Sequence, residues 1–232
     1  MITVHHLENS RSQRVLWLLE ELGLPYEVIR YERDPQTMLA PKSLRAVHPL
    51  GKSPIITENG ATVAETGAIV EYILDRHGEG RLVPPPGTPE RLRYTFWLHY
   101  AEGSAMPPLV MKLVFSRIPL AAPALVRPLV WGIMQRVQQG FVDPNLALHL
   151  GYIDAELADT GWFAGPDFTA ADIMMSFPAE AAANRADGGR YRNLAGFLAR
   201  IHGRPAYARA LDRGGPYAYA PDAVRTSGQA PD

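Results

Sequence analysis

The chain has 232 residues, 47% of them hydrophobic and 20% charged, a formal net charge of −1 and no cysteine. This is the composition of an ordinary globular protein of one large or two small domains, and a charge so near balance offers no basic stripe to nucleic acid. Without cysteine there is no structural disulfide, thiolate metal site or protein-borne redox centre, so any thiol chemistry must use a borrowed thiol.

Met1 to His5 carries no charged stretch followed by a long apolar block, so nothing directs the chain to secretion and the cytoplasm is the expected location. Ile2 to His6 is β-prone, and Asn9-Ser10 breaks it. From Ser10 the pattern turns helical, with Val15, Leu18, Leu19 and Leu22 on one face and Arg14, Glu20 and Glu21 facing out. Ser10 and Gln13 have the spacing of a capping box, and Gly23 with Pro25 ends the helix. Tyr26 to Tyr31 is a second strand, parallel to the first because a helix joins them. Arg33 to Val47 is a polar link with a short helical stretch from Lys42 to Val47.

Ile55-Ile56 and Ala61 to Ala64 flank Asn59-Gly60, a strong signal for a tight hairpin turn. Glu65-Thr66 then opens a helix with Ile69, Val70, Ile73 and Leu74 on one face, and Gly78 stops it. Strand, helix, strand, then hairpin and helix is the βαβ-ββα order of a thioredoxin-like domain, expected to run over residues 1–80. Residues 81–88, with Pro84-Pro85-Pro86, form a stiff linker.

After the linker no strand is expected, and residues 89–213 read as an all-helical domain. A long helix from Pro89 to about Arg117 carries Phe96, Trp97, Tyr100 and Met106, and Pro107-Pro108 must bend or break it. Glu102 and Ser104 interrupt its apolar face and are expected to point at a ligand or a partner subunit. Ile118 to Met134 is nearly all apolar but is broken by Arg127, Pro119, Pro123 and Pro128. It therefore reads as a buried or capping segment rather than a membrane span, which wants ~20 uninterrupted residues. Asp143-Pro144 reads as a helix cap, and Thr169 with Asp172 as a capping box stapled by Phe168 and Ile173. Residues 214–232 are rich in Gly, Pro, Ser and Ala and are expected to form a mobile tail.

Two places carry chemistry. A hydroxyl at Ser10 can cap the first helix and still donate outward, so a thiolate placed there would be held by that donor and by the helix N-terminus. One charge-assisted hydrogen bond of ~1.5–3 kcal/mol and ~0.5–1 from the helix end suffice to lower a thiol pKa by ~2. Arg11, a cation in the first turn, opposes the helix dipole and needs an anion to face, either a carboxylate of the fold or a ligand. At Glu65-Thr66 a helix N-terminus can receive a carboxylate while Glu65 offers a counter-charge to an ammonium. The plain alternative for Ser10 and for Thr66 is a bare helix cap. His5 and His6 alternate across a strand and cannot share a metal. No metal is expected.

Gly51-Lys52-Ser53-Pro54, Glu65-Thr66 and Thr169-Ala170-Ala171-Asp172 together resemble the glutathione S-transferase family, of the serine or asparagine type found in bacteria and fungi. The resemblance covers about residues 2 to 213. It implies a cis bond before Pro54, which lets the backbone of Ser53 pair with an extended peptide, and glutathione as co-substrate in each first domain of a homodimer. It places the glutathione sulfur at Ser10 or Asn9, the γ-glutamyl end at Glu65 and Thr66, and the rest against Arg11, Lys52, Ser53 and Pro54. Leu39 stands where some family members carry a histidine for the glycyl carboxylate, so that contact is missing or comes from Lys52, the favoured replacement, or Arg11. Trp97, Tyr100 and Met106 are expected to line the site for a small hydrophobic electrophile. Asp172 is implied to be a folding determinant and not a catalyst. The implied activity is detoxifying transfer of the thiolate. The alternatives are a glutathione-dependent disulfide or peroxide reductase, which Asn9 would favour, and a binding module without turnover.

Overall fold

In a computed structural model of the protein, residues 1–185 and 190–220 are described. Strand β1 (Ile2–Leu7) runs parallel to β2 (Tyr26–Tyr31), with Ile2 opposite Tyr26 and Leu7 opposite Tyr31. On its other edge β1 runs antiparallel to β3 (Ile55–Glu58), which forms a hairpin with β4 (Ala61–Ala64). The sheet order is β2-β1-β3-β4. The hairpin turns on Asn59 and Gly60, at φ 49° and 82°, the two positive values that the expected tight turn requires.

Helix α1 (Ser12–Leu22) packs Val15, Leu16, Leu18 and Leu19 into the core and stops at Gly23, whose φ of 64° suits a residue without Cβ. It starts one residue later than its capping signal suggests, with Arg11 in the cap position. Ser10 Oγ still accepts the Ser12 N–H at 3.3 Å, but the Gln13 amide is buried without a partner among the described residues, so the capping box is not closed. Arg14 does not face out: its side chain is 1% exposed. The reason is topological, since α1 is covered by the sheet on one side and by helices of the second half on the other, leaving no solvent face at that position.

Helix α2 (Thr66–His77) buries Ile69, Val70 and Ile73. Beyond the prolines, α3 (Pro89–Tyr100) passes through a π turn at residues 101–105 into α4 (Met106–Ala121) without a break. Pro107 and Pro108 are tolerated because they lie in the first turn of α4, where no N–H is needed, next to a turn that is already widened. A second π turn, at 138–142, fuses α5 (Arg127–Val137) to α6 (Asp143–Glu156). Asp143 is therefore no cap; it lies within a continuous helix and accepts a hydrogen bond from Lys112 Nζ at 2.5 Å.

Helix α7 (Ala170–Arg185) runs through the core, flanked by α8 (Arg192–His202) and α9 (Pro205–Gly214). At its start Asp172 Oδ2 accepts the Thr169 N–H at 2.8 Å and the Thr169 hydroxyl at 3.1 Å, while Oδ1 accepts the Phe163 N–H at 2.9 Å. The carboxylate is the hub of this turn, and burial raises its pKa to about 6 against these three donors.

Two expectations are corrected. The 118–134 segment is mostly exposed and not buried as expected: Pro119 is enclosed, but α5 has no buried residue, and Leu120, Leu125, Leu129, Trp131 and Ile133 face solvent. Residues 214–220 do not form a mobile tail. They turn back over α7, where the buried Tyr217 donates its hydroxyl to Glu180 at 2.7 Å. The rest of that expected tail, residues 221–232, lies outside the described residues. No described helix is long and apolar enough to cross a membrane.

Candidate active site

The end of β1, the turn into α1 and the start of β3 meet at three serines. Ser10 Oγ lies 2.8 Å from Ser12 Oγ and 3.5 Å from Ser53 Oγ, and the Ser53–Pro54 bond is cis. Ser53 is fixed by its own hydroxyl, which donates to the His5 carbonyl at 3.1 Å and accepts the Leu7 N–H at 3.3 Å. Its backbone N–H and C=O have no partner among the described residues, which leaves them open to an extended peptide.

Ser12 leads inward to His6, whose Nδ1 is 2.9 Å from Ser12 Oγ. The His6 ring also hydrogen-bonds to the Gly214 backbone, and burial together with the Arg30 charge lowers its pKa to about 4. His6 is therefore neutral, with one ring nitrogen a donor and the other an acceptor. Ser12 Oγ reaches both His6 Nδ1 and, at 3.3 Å, the Leu7 carbonyl, and Ser10 Oγ reaches both Ser12 Oγ and Ser53 Oγ. A sulfur bound at Ser10 competes with Ser12 for the Ser10 proton.

This arrangement discriminates between protonation states. Turning the Ser10 hydroxyl from Ser12 to a sulfur forfeits a neutral hydrogen bond worth ~1 kcal/mol, while a bond to an anion returns ~1.5–3. A thiolate offsets that loss, whereas a neutral thiol can instead donate to Ser10 and leave its bond with Ser12 intact.

A second cluster lies under the first. Arg14 Nη1 donates to the Met174 carbonyl at 2.7 Å, and Nη2 to Thr66 Oγ1 at 3.4 Å and to Glu102. Arg11 Nε donates to the same Glu102 carboxylate at 2.9 Å. The anion that Arg11 faces is thus a carboxylate of the fold. Burial raises the Glu102 pKa, but the two arginines outweigh it and hold the group below its ordinary value.

The other expected residues fall as follows. Glu65 is exposed at the start of α2 with φ 72°, a left-handed conformation uncommon for a residue with Cβ, and Thr66 beside it is buried on Arg14. Such backbone is held only where its surroundings over-determine it, and it costs ~1–3 kcal/mol. Lys52 is exposed beside Ser53 and forms no ion pair among the described residues. Asn9, at φ 48°, has its Oδ1 taken by the Ala218 N–H at 2.6 Å.

The expected electrophile wall is different from what is found. Trp97 and Met106 are 1% and 2% exposed, packed among Phe163, Tyr152 and the core, and present no face to a ligand. Tyr100 is half-buried and its hydroxyl is bonded to His149 Nδ1 at 2.5 Å. This aromatic stripe is core packing between α3 and its neighbours. An aromatic group that sequence reasoning passed over lies beside Arg11. Tyr219 packs on Phe177 with ring centroids 5.4 Å apart, and Arg11 stands 5.5 Å over that Phe177 ring. His6 and Ser12 were also missed as partners of Ser10; the alternation that puts His6 opposite His5 was the available signal. Among the described residues no group of His, Asp and Glu could hold a metal.

A four-stranded βαβ-ββα sheet with a cis proline facing the start of α1, joined to a helical bundle, defines a thioredoxin-like protein built to hold a peptide with an anionic group. A family model for the glutathione S-transferase N-terminal domain matches residues 10–76. Glutathione S-transferase 3 of Schizosaccharomyces pombe is 36% identical over 218 residues, covering 92% of this chain and 88% of that protein. A glutathione S-transferase structure from Actinobacillus pleuropneumoniae superposes with a TM-score of 0.78 at 29% identity, over 97% of this chain and 99% of that one. A sphingomonad glutathione S-transferase solved with glutathione gives 0.70 at 25% identity, over 92% and 98%. The chain belongs to the glutathione S-transferase family.

Proposed function

We propose that the protein binds glutathione as a thiolate and transfers it to a small hydrophobic electrophile. The observation that carries this reading is the serine chain: Ser10, at the start of α1, has a hydroxyl whose loss of Ser12 is offset by an anionic sulfur and not by a neutral one. The open backbone of Ser53 receives the peptide, Glu65 the γ-glutamyl ammonium, and Lys52 the glycyl carboxylate. Arg11, Thr66 and Arg14 support these groups from behind through Glu102. Glutathione in the sphingomonad relative supports the same co-substrate here.

Because the chain has no thiol, activation consists of lowering the pKa of the bound one. The thiolate forms a bond to the electrophilic carbon; in a substitution the leaving group departs to solvent with its bonding pair, in an addition the π pair moves onto the acceptor atom of the electrophile and takes a proton from solvent, and the proton lost by the thiol goes to solvent. We place the electrophile against the half-buried Tyr219, whose ring packs on the buried Phe177 beside Arg11, instead of against Trp97. With Asn9 Oδ1 held by Ala218, the geometry favours Ser10 as the sulfur ligand and conjugation over disulfide reduction.

We further infer two domains, residues 1–80 and 89–213, joined by 81–88, acting in the cytoplasm as a homodimer. The exposed Leu92, Phe96, Leu148 and Tyr152 on α3 and α6 give a second copy an apolar face. Chloronitrobenzene conjugation measured against hydroxyethyl disulfide reduction tests the reading. Conjugation in excess, lost in Ser10→Ala, supports it, and reduction in excess overturns it.

A further inference from the structure

We propose that Arg11 is a specificity-determining residue of the site and that it selects electrophiles carrying a carboxylate. The proposal rests on the transferase reading and gives the apolar electrophile a charged end. Arg11 donates to both Glu102 oxygens through Nε alone, at 3.0 and 2.9 Å, so neither of its terminal nitrogens has a hydrogen-bond partner among the described residues. Its side chain is 34% exposed. A guanidinium anchored at Nε, with both terminal nitrogens open, is a fork already set for a planar anion such as a carboxylate.

The charge balance leaves that fork cationic. Glu102 is the one carboxylate paired with Arg11 or Arg14 among the described residues, so two guanidinium groups share a single negative charge. Arg14 is enclosed and directs its other bonds to Met174 and Thr66. The surplus positive charge therefore meets solvent at Arg11, in the cap position of α1, where the helix end adds to it. Position assigns this charge to the electrophile. Ser10 lies 3.5 Å from Ser53, whose open backbone receives glutathione, whereas Arg11 contacts the helical half, through Glu102 and at 5.5 Å over the Phe177 ring on which Tyr219 packs. A carboxylate brought up to a thiolate meets like-charge repulsion, and a cation one residue from Ser10 offsets it.

The test compares kcat/KM for two electrophiles with the same reacting carbon, a chloronitrobenzoate and its carboxamide. In each the thiolate bonds to the ring carbon bearing chlorine, and chloride departs with its bonding pair. The acid-to-amide ratio is measured in the natural chain, Arg11→Gln and Arg11→Lys, so that any change in folding or in glutathione activation, common to both electrophiles, divides out. Arg11→Gln is expected to lower the ratio about thirtyfold, the loss of a charge-assisted two-pronged pair. Arg11→Lys, which keeps the charge without the fork, is expected to lower it about fivefold. Added salt should lower the ratio in the natural chain. Calorimetric affinities of the two glutathione conjugates read the same preference without turnover. A ratio that Arg11→Gln leaves unchanged overturns the proposal, including where both activities fall together with a raised KM for glutathione, and conjugation by the natural chain then still supports the transferase reading. If the natural chain turns over neither electrophile, that reading fails and the conjugates decide the proposal: tighter binding of the acid, lost in Arg11→Gln, supports it, and equal binding overturns it.

Discussion

Arg14 and Glu102 are joined across the seam between the sheet-bearing half of the chain and its helices, the guanidinium fully enclosed and the carboxylate shared with Arg11. Burial lowers the Arg14 pKa and Glu102 counters that shift, so the carboxylate compensates the enclosed guanidinium charge. Removing one partner of such a pair leaves an uncompensated buried charge, at ~3–5 kcal/mol. Glu102→Gln is expected to lose about 3 kcal/mol in urea unfolding with the denaturant slope unchanged. A loss below about 1 kcal/mol would show that Arg14 is satisfied by Met174 and Thr66 alone.

His6 makes stability depend on pH. Its folded pKa of about 4 lies below the ordinary 6.5, so the unfolded chain takes up a proton that the native state refuses. The stability this group contributes is present above pH 6.5 and is lost as pH falls toward 4, by about 3 kcal/mol. Asp172 acts in the opposite sense over nearly the same range, since its folded pKa of about 6 is above the ordinary 3.8 and native stability rises as pH falls from 6. The two nearly cancel in the natural chain. The stability difference between the natural chain and His6→Asn isolates the histidine, and it is expected to shrink by about 3 kcal/mol between pH 7 and pH 4. Parallel profiles would place the His6 titration at its ordinary value.

The Tyr217 hydroxyl and the Asn9 amide hold the C-terminal segment over the site. Tyr217→Phe leaves a Glu180 carboxylate oxygen without its buried donor, a loss of ~1–3 kcal/mol. Asn9→Ala is expected to speed amide exchange in residues 216–219 and to raise KM for the electrophile while leaving KM for glutathione unchanged. A rise confined to KM for glutathione would make Asn9 a ligand of the co-substrate.

Much of this was legible in the chain because it is local. β-branched alternation, Asn59-Gly60 and the Gly23 stop each act within a few residues, and the sheet follows from them. Arg14 was misread because helical periodicity assumes one solvent face, and α1 has none once α7 and α9 cover it. Pro107-Pro108 and Asp143-Pro144 signalled breaks that two π turns absorb. Trp97 looked like a pocket wall because an aromatic stripe has the same spacing whether it faces a ligand or the core. The 214–220 segment looked polar and loose, yet two tyrosines and an asparagine some 200 residues away anchor it, a pairing no local window contains.

The central claim is that Ser10 lowers the pKa of a bound thiol against the pull of Ser12, and titrating enzyme-bound glutathione by thiolate absorbance tests it most directly. The natural protein is expected to show a pKa ~2 below that of the free peptide. Ser10→Ala should return it toward the free value, and Ser12→Ala, which frees the Ser10 proton at a gain of ~1 kcal/mol, should lower it by a further ~0.7. A bound thiol that titrates like the free peptide in all three proteins would contradict the account.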